Sequence, residues 1–113
     1  MTKLDDAPMA VESDLLSPLE AGLIARFFQV LADPTRVRIV KALADKAWCV
    51  SELTHALGMD QPAVSHQLKY LRKMGLVKWE KKGRHVYYML DDSHLLDILV
   101  SSIAHLECDQ HGN

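Results

Sequence analysis

The stretch from residue 51 to residue 90 constrains this chain most. In it, two helix signals joined by a glycine turn run directly into a strand hairpin. Its centre is Asp60-Gln61-Pro62-Ala63-Val64-Ser65-His66-Gln67-Leu68-Lys69-Tyr70-Leu71-Arg72-Lys73-Met74-Gly75. Asp60 is a good N-cap, Pro62 falls in the first turn where a missing N–H does no harm, and Gly75 suits the C′ position. Val64, Leu68 and Leu71 recur at helical spacing and are expected to face a core. Gln61, Ala63, Ser65, His66, Gln67 and Lys69 then fall on the other sides. Hydrogen-bonding side chains near the start, with cations further along, suit a helix lying in a DNA major groove.

An ordinary amphipathic surface helix would need none of what surrounds this one. Before it, Ser51 to Leu57 reads as a short helix and Gly58-Met59 as a tight turn, which makes a helix-turn-helix. After it, Leu76 to Leu90 alternates around a charged turn at Lys81 to Arg84 and reads as a two-stranded wing.

Charge decides where nucleic acid could lie. The chain has 113 residues and a net charge of −2, which alone argues against a polyanion partner. The distribution reverses that argument. Residues 61–90 carry Lys69, Arg72, Lys73, Lys78, Lys81, Lys82 and Arg84 against Glu80 alone. Both ends are acidic, and residues 91–113 contain no Lys or Arg. The basic charge therefore sits on the expected reading head, as a phosphate-binding surface requires. Gln61, Ser65, His66 and Gln67 are the candidates for base-edge or nearby phosphate contacts. Lys69, Arg72 and Lys73 are expected to touch phosphates or to be solvated, Lys81 and Lys82 to lie on the backbone beside the wing, and Arg84 to reach the minor groove.

The length is that of one domain. Residues 1–16 are polar and acidic and read as a flexible tail, with the domain over residues 17–113. Ser17-Pro18-Leu19-Glu20 combines an N-cap, a proline at N1 and a capping box, and opens a helix to about Ala32. Asp33-Pro34 caps a second helix from Thr35 to Ala44, with Val37, Ile39, Val40 and Leu43 expected to be buried. Asp91-Asp92-Ser93 opens the last helix, to about Asp109. Its apolar residues (Leu95, Leu96, Ile98, Leu99, Val100, Ile103 and Leu106) spread around most of its circumference. A terminal helix that apolar needs two partners, its own domain and a second subunit. The expected fold is mainly α with a small β-hairpin: a winged helix-turn-helix of order α-α-α-α-β-β-α that forms a homodimer. A dimer also places two reading heads about 34–36 Å apart on a palindromic site. No apolar run is long enough to span a membrane, and the N-terminus lacks a secretory pattern, so a cytoplasmic protein is expected. Two cysteines, Cys49 and Cys108, do not make a disulfide framework.

The pattern resembles the ArsR/SmtB family of bacterial metal-sensing repressors. The resemblance covers about residues 17–108. It rests on Leu31-Ala32-Asp33-Pro34-Thr35-Arg36-Val37-Arg38-Ile39-Val40 with Leu43, on Cys49-Val50-Ser51-Glu52-Leu53, on Gln61 to Leu71, and on Gly83-Arg84-His85-Val86-Tyr87-Tyr88. It implies a homodimer that represses its own promoter and releases operator DNA when an inducer binds. The family's arsenic and cadmium sensors carry Cys-Val-Cys where this chain has Cys49-Val50-Ser51, so a soft-metal thiolate site there would lack ligands. The zinc-sensing branch uses the last helix, with the spacing Asp-x-His, ten residues, then His-x-x-Glu or His. Asp92, His94, His105 and Cys108 have that spacing and differ only in the type of the fourth ligand.

Helix geometry supports the same site independently. His94 and His105 are three turns apart plus about 20°, so they share a face, yet they stand ~16 Å apart along the axis at ~1.5 Å per residue. One helix cannot bring both to one ion. Two last helices paired antiparallel across a two-fold axis would set Asp92 and His94 of one chain against His105 and Cys108 of the other. His105 and Cys108, at i and i+3, are neighbours on the helix surface. Four mixed oxygen, nitrogen and sulfur ligands suit tetrahedral Zn²⁺, with Co²⁺, Cd²⁺ or Ni²⁺ as further candidates. Glu107 and His111 are spare donors. The alternative inducer is a thiol redox or sulfur signal through Cys49 and Cys108. An enzyme is not expected, for no nucleophile–base constellation, phosphate-cradling glycine loop or open metal site is present.

Overall fold

The first fixed point after the opening helix is the Asp33-Pro34 break. Asp33 has extended backbone, and its Oδ2 accepts the Arg36 N–H at 3.0 Å, so one orphan donor of the next helix is satisfied. The computed structural model describes residues 14–112, with side chains described over residues 14–108. Of the expected tail over residues 1–16, residues 1–13 lie outside the described residues. The elements are α1 (Pro18–Val30), α2 (Pro34–Asp45), β1 (Trp48–Cys49), α3 (Val50–Leu57), α4 (Gln61–Lys73), β2 (Val77–Lys82), β3 (His85–Leu90) and α5 (Ser93–Gly112). None of the described helices is long and apolar enough to cross a membrane.

Helix α1 belongs to a separate unit from the chain that begins at Leu31. Its start is the expected capping box. The Glu20 N–H donates to Ser17 Oγ at 3.1 Å, and the Ser17 N–H donates to Glu20 Oε1 at 2.9 Å. The helix stops at Val30, two residues short of the expected end.

In the second unit the core is made by one stripe from each helix. Ile39, Val40 and Leu43 of α2, Leu53 of α3, Val64, Leu68 and Leu71 of α4, and Leu95 and Leu99 of α5 are buried, with Leu76 and Val77 at the foot of the wing. Burying each such side chain stabilises by about 1.5–3 kcal/mol. Val37 does not join them: it is exposed, because α2 turns Ile39, Val40 and Leu43 inward and leaves Val37 on the rim of a groove with Leu57, Leu99, Ile103 and Leu106. The turn between α3 and α4 is closed by Gly58 N–H to His55 O and Met59 N–H to Thr54 O, each 3.2 Å. Asp60 occupies the N-cap of α4 with extended backbone, but its side chain makes no cap bond. At the other end, Gly75 N–H to Arg72 O and Leu76 N–H to Leu71 O, each 3.0 Å, form a Schellman motif. Gly75 has φ 79°, a conformation that side-chain-bearing residues rarely adopt.

The wing is larger than a hairpin. Strands β2 and β3 pair antiparallel from Val77↔Leu90 to Lys82↔His85, leaving the two-residue loop Gly83-Arg84. Gly83 has φ 65° at the first loop position, as a type II′ turn demands. Strand β1 adds to the far edge of β3, with Trp48↔Tyr88 and Cys49↔Tyr87, so the sheet order is β1-β3-β2. Two residues are too few to show alternation, which is why the sequence suggests only a hairpin. Trp48, Tyr88 and Trp79 stand in one cross-strand row, and Trp48 Nε1 donates to Ala42 O at 2.9 Å, which ties the sheet to α2.

The Asp33 cap gives a direct test of this construction. Asp33→Ala is expected to lower unfolding stability by about 1 kcal/mol, read as a reduced urea midpoint with unchanged slope. An unchanged midpoint would show that water caps α2 equally well.

Candidate functional site

Helix α4 presents its polar side as the apolar stripe requires. At about 100° per residue, His66, Lys69 and Lys73 lie opposite Val64, Leu68 and Leu71. Gln61, His66, Lys69, Arg72 and Lys73 are exposed, and Ser65 and Gln67 are half-buried on the flanks. Lys81, Lys82 and Arg84 are exposed at the wing tip. None of the ion pairs among the described residues uses any of these cations; the pairs are Lys41–Asp45, Lys78–Asp91 and His94–Asp92. The reading head therefore carries charge that no carboxylate among the described residues pairs with.

Two guanidiniums are held against aromatic rings beside α4. Arg72 lies 4.8 Å from the centre of the Trp79 ring, which joins α4 to β2. Arg36 lies 4.6 Å from the Tyr70 ring, which joins α2 to α4. Sequence reasoning places Arg72 on the DNA side and does not single out Arg36. Its ring partner is 34 positions away, and no local periodicity connects them.

The last helix holds the other candidate group. Asp92 stands just before α5. Its Oδ1 accepts the His94 N–H at 2.9 Å and lies 3.3 Å from His94 Nδ1. The carboxylate thus caps the helix and meets the imidazole at once. The His94 side chain is 88% exposed, so it is free to turn toward a partner. His105 and Cys108 are exposed one turn apart near the other end of α5. Glu107 is exposed as well, and His111 lies outside the described side chains. Among the described residues no three His, Cys, Asp or Glu donors converge within the single chain. His94 and His105 stand eleven residues apart on the one helix. The donors present are chemically fit for a borderline metal, an oxygen and a nitrogen at one end and a nitrogen and a sulfur at the other.

Comparison with known proteins decides the family. The model described as "Bacterial regulatory protein, arsR family" matches residues 33–78. A Synechocystis protein named as a transcriptional repressor SmtB homolog is 41% identical over 97 residues, which is 86% of this chain and 74% of that protein. The chain belongs to the ArsR family. A Staphylococcus aureus relative, named as a cadmium resistance transcriptional regulatory protein CadC homolog, is 32% identical over 73% of this chain and 69% of its own length. Among solved structures, the AntR antimony-specific transcriptional repressor superposes with a TM-score of 0.79 and 32% identity, covering 92% of this chain and 95% of that one. As an ArsR-family protein the chain is a winged helix-turn-helix transcription regulator and not an enzyme. The family match spans α2 to the start of β2, so it covers the helix-turn-helix and stops short of the wing tip.

The wing tip of this ArsR-family protein invites one substitution. Arg84 is exposed beside the Gly83 turn with no carboxylate partner among the described residues. Arg84→Ala is expected to weaken operator binding and to lower the slope of log Kobs against log salt by about 0.9 per half-site. A full-strength slope in the variant would remove Arg84 from the interface.

Proposed function

We propose that this ArsR-family protein is a metal-responsive repressor. It binds a palindromic operator in double-stranded DNA as a homodimer, within the cytoplasm, and releases it when Zn²⁺ binds at two sites between the last helices. Co²⁺, Ni²⁺ and Cd²⁺ are the alternative ions. The observation that carries this reading is the division of the α5 donors into two pairs, half-buried Asp92 with exposed His94 at its start and exposed His105 with Cys108 further along. Each pair is half of a tetrahedral set, and only a second α5 running the other way completes both.

The surface of α5 supports the pairing. Leu95 and Leu99 are buried in the domain, whereas Val100, Ile103 and Leu106 are 55%, 38% and 60% exposed on the same helix. Ile103 and Leu106 line an open groove with Val37 and Leu57, and apolar side chains left uncovered by the described fold favour a helix partner. The cadmium and antimony in the names of two relatives favour a metal or metalloid inducer over other classes of signal.

Held between subunits, an ion supplies charge and a fixed coordination geometry; four protein donors leave no position open for reactive water. The side chains do the rest. Asp92 orients His94 through the 3.3 Å contact, and His105 and Cys108 reach from the partner helix. Joining those ends would load α5 against α2, the helix it packs on, and through that contact would bear on the spacing of the two reading heads. The thiol alternative fits less well. Cys49 is buried at the start of α3 with its Sγ 3.5 Å from Ser51 Oγ, while Cys108 is exposed on α5, and both are free.

The test is fluorescence anisotropy of a labelled duplex that the metal-free, reduced protein has selected from a random-sequence pool, titrated with each ion. Release by Zn²⁺, reversed by chelator, is the expected result. The coupling is reciprocal, so operator DNA must weaken metal binding by the same factor. Equal metal affinity with and without the duplex would sink the proposal.

A further inference from the structure

Among the described residues no carboxylate pairs with Arg36. Its guanidinium carbon lies over the Tyr70 ring, 4.6 Å from the centre. Among the described residues the side chain has no hydrogen bond and no ion pair. Its Nε is buried without a partner, while its terminal nitrogens are not among the buried unpaired atoms and so reach solvent. A buried unpaired donor is a standing cost. Packing alone does not account for it, since an apolar side chain would cover the ring without that cost.

Its position beside α4 supplies the reason. Tyr70 and Arg72 are two residues apart, so they leave the helix about 160° from each other. Lys69, His66 and Lys73 lie on the arc between them, opposite the buried Val64, Leu68 and Leu71. The arc is therefore bordered on each side by a guanidinium stacked on an aromatic ring: Arg72 on Trp79 along one flank, Arg36 on Tyr70 along the other. A helix in a major groove about 12 Å wide has a phosphate strand on each wall. Arginine suits such a place better than lysine. Its planar group stacks on the ring with one face and keeps an edge of N–H donors for phosphate oxygens.

We propose that Arg36 is a phosphate contact of the DNA interface, borne on α2 and held by Tyr70, and that with Arg72 it forms a two-sided clamp on the strands flanking α4. The inference rests on the operator-binding reading above, and extends the interface beyond the recognition helix and wing. Tyr70 acts as a positioning residue, since it fixes the guanidinium and leaves the phosphate to Arg36.

The experiment is the salt dependence of anisotropy for two labelled duplexes, the one selected by the protein and one of random sequence. Arg36→Gln is expected to weaken binding to both by similar factors, about tenfold. It should also lower the slope of log Kobs against log salt by about 0.9 per half-site, and Arg36→Lys should restore most of that slope. A packing role would not respond to charge in this way. If Arg36→Gln does not fold by circular dichroism, Arg36→Met, which keeps the apolar stem, replaces it in the same titration. A full-strength slope in the folded variant overturns the assignment, as does loss of fold in both neutral variants. A parent protein that binds neither duplex overturns the repressor reading itself, and this one with it.

Discussion

Replacing His105 with alanine is expected to leave DNA binding by the metal-free protein within about twofold and to abolish its release by Zn²⁺, a coupling of about 5–150-fold in the parent. The two halves of this expectation have separate structural grounds. His105 is exposed on α5 and far along the chain from the α4 and wing cations, so no DNA contact is lost. It is also one of four donors, and removing an imidazole leaves three ligands where tetrahedral Zn²⁺ takes four. Because each of the two proposed sites takes one His105, a single substitution disables both. The measurement is the anisotropy titration with parent and variant side by side. Release of the variant at the parent's zinc concentration would mean that the sensing site lies elsewhere. Loss of DNA binding by the metal-free variant would mean that His105 serves the dimer rather than the ion.

Leu68→Ala is expected to lower unfolding stability by about 2–5 kcal/mol. Leu68 is fully buried on the inner face of α4, between Val64 and Leu71 and in the same core as Leu53 of α3. Truncation removes the transfer free energy of the lost carbons and leaves a cavity beside α3 and β2, the elements packed on α4. Domains of this size have only about 5–15 kcal/mol to lose. The substitution should therefore shift the urea midpoint strongly, measured at fixed protein concentration because a dimer's stability depends on it. It should also weaken DNA binding without altering the salt slope, since no cation moves off the surface. A change below about 1 kcal/mol would show that the core collapses around the gap and is less tightly packed than its burial implies.

Both expectations trace back to features of different legibility. The reading head is local. The Gly58-Met59 turn, the Val64, Leu68 and Leu71 stripe and the Gly75 stop each lie within a few residues, and helical or strand periodicity reports them directly. The Ser17–Glu20 capping box and the Asp33 cap are of the same kind, and both form the hydrogen bonds their spacing implies. The Asp60 cap shows the limit, because the residue takes the N-cap position while its carboxylate makes no cap bond. Residue preference describes an average over many helix starts; the particular turn decides whether the side chain can reach.

The sequence by itself determined the order of the five helices and the wing hairpin, the basic face of α4 and the wing, and the Asp92, His94, His105 and Cys108 spacing that one helix cannot close. These depend on periods and charges that short stretches of chain already contain. Tertiary structure alone decided that Val37 stays exposed, that Trp48 and Cys49 join β3 as a third strand, and that Arg36 lies on Tyr70 while Arg72 lies on Trp79. Each of these is a meeting of residues brought together by packing rather than by helical or strand repeat. Such meetings are set by how the helix stripes interlock around Ile39, Leu53, Leu68 and Leu95, and that interlocking leaves no period in the sequence to read.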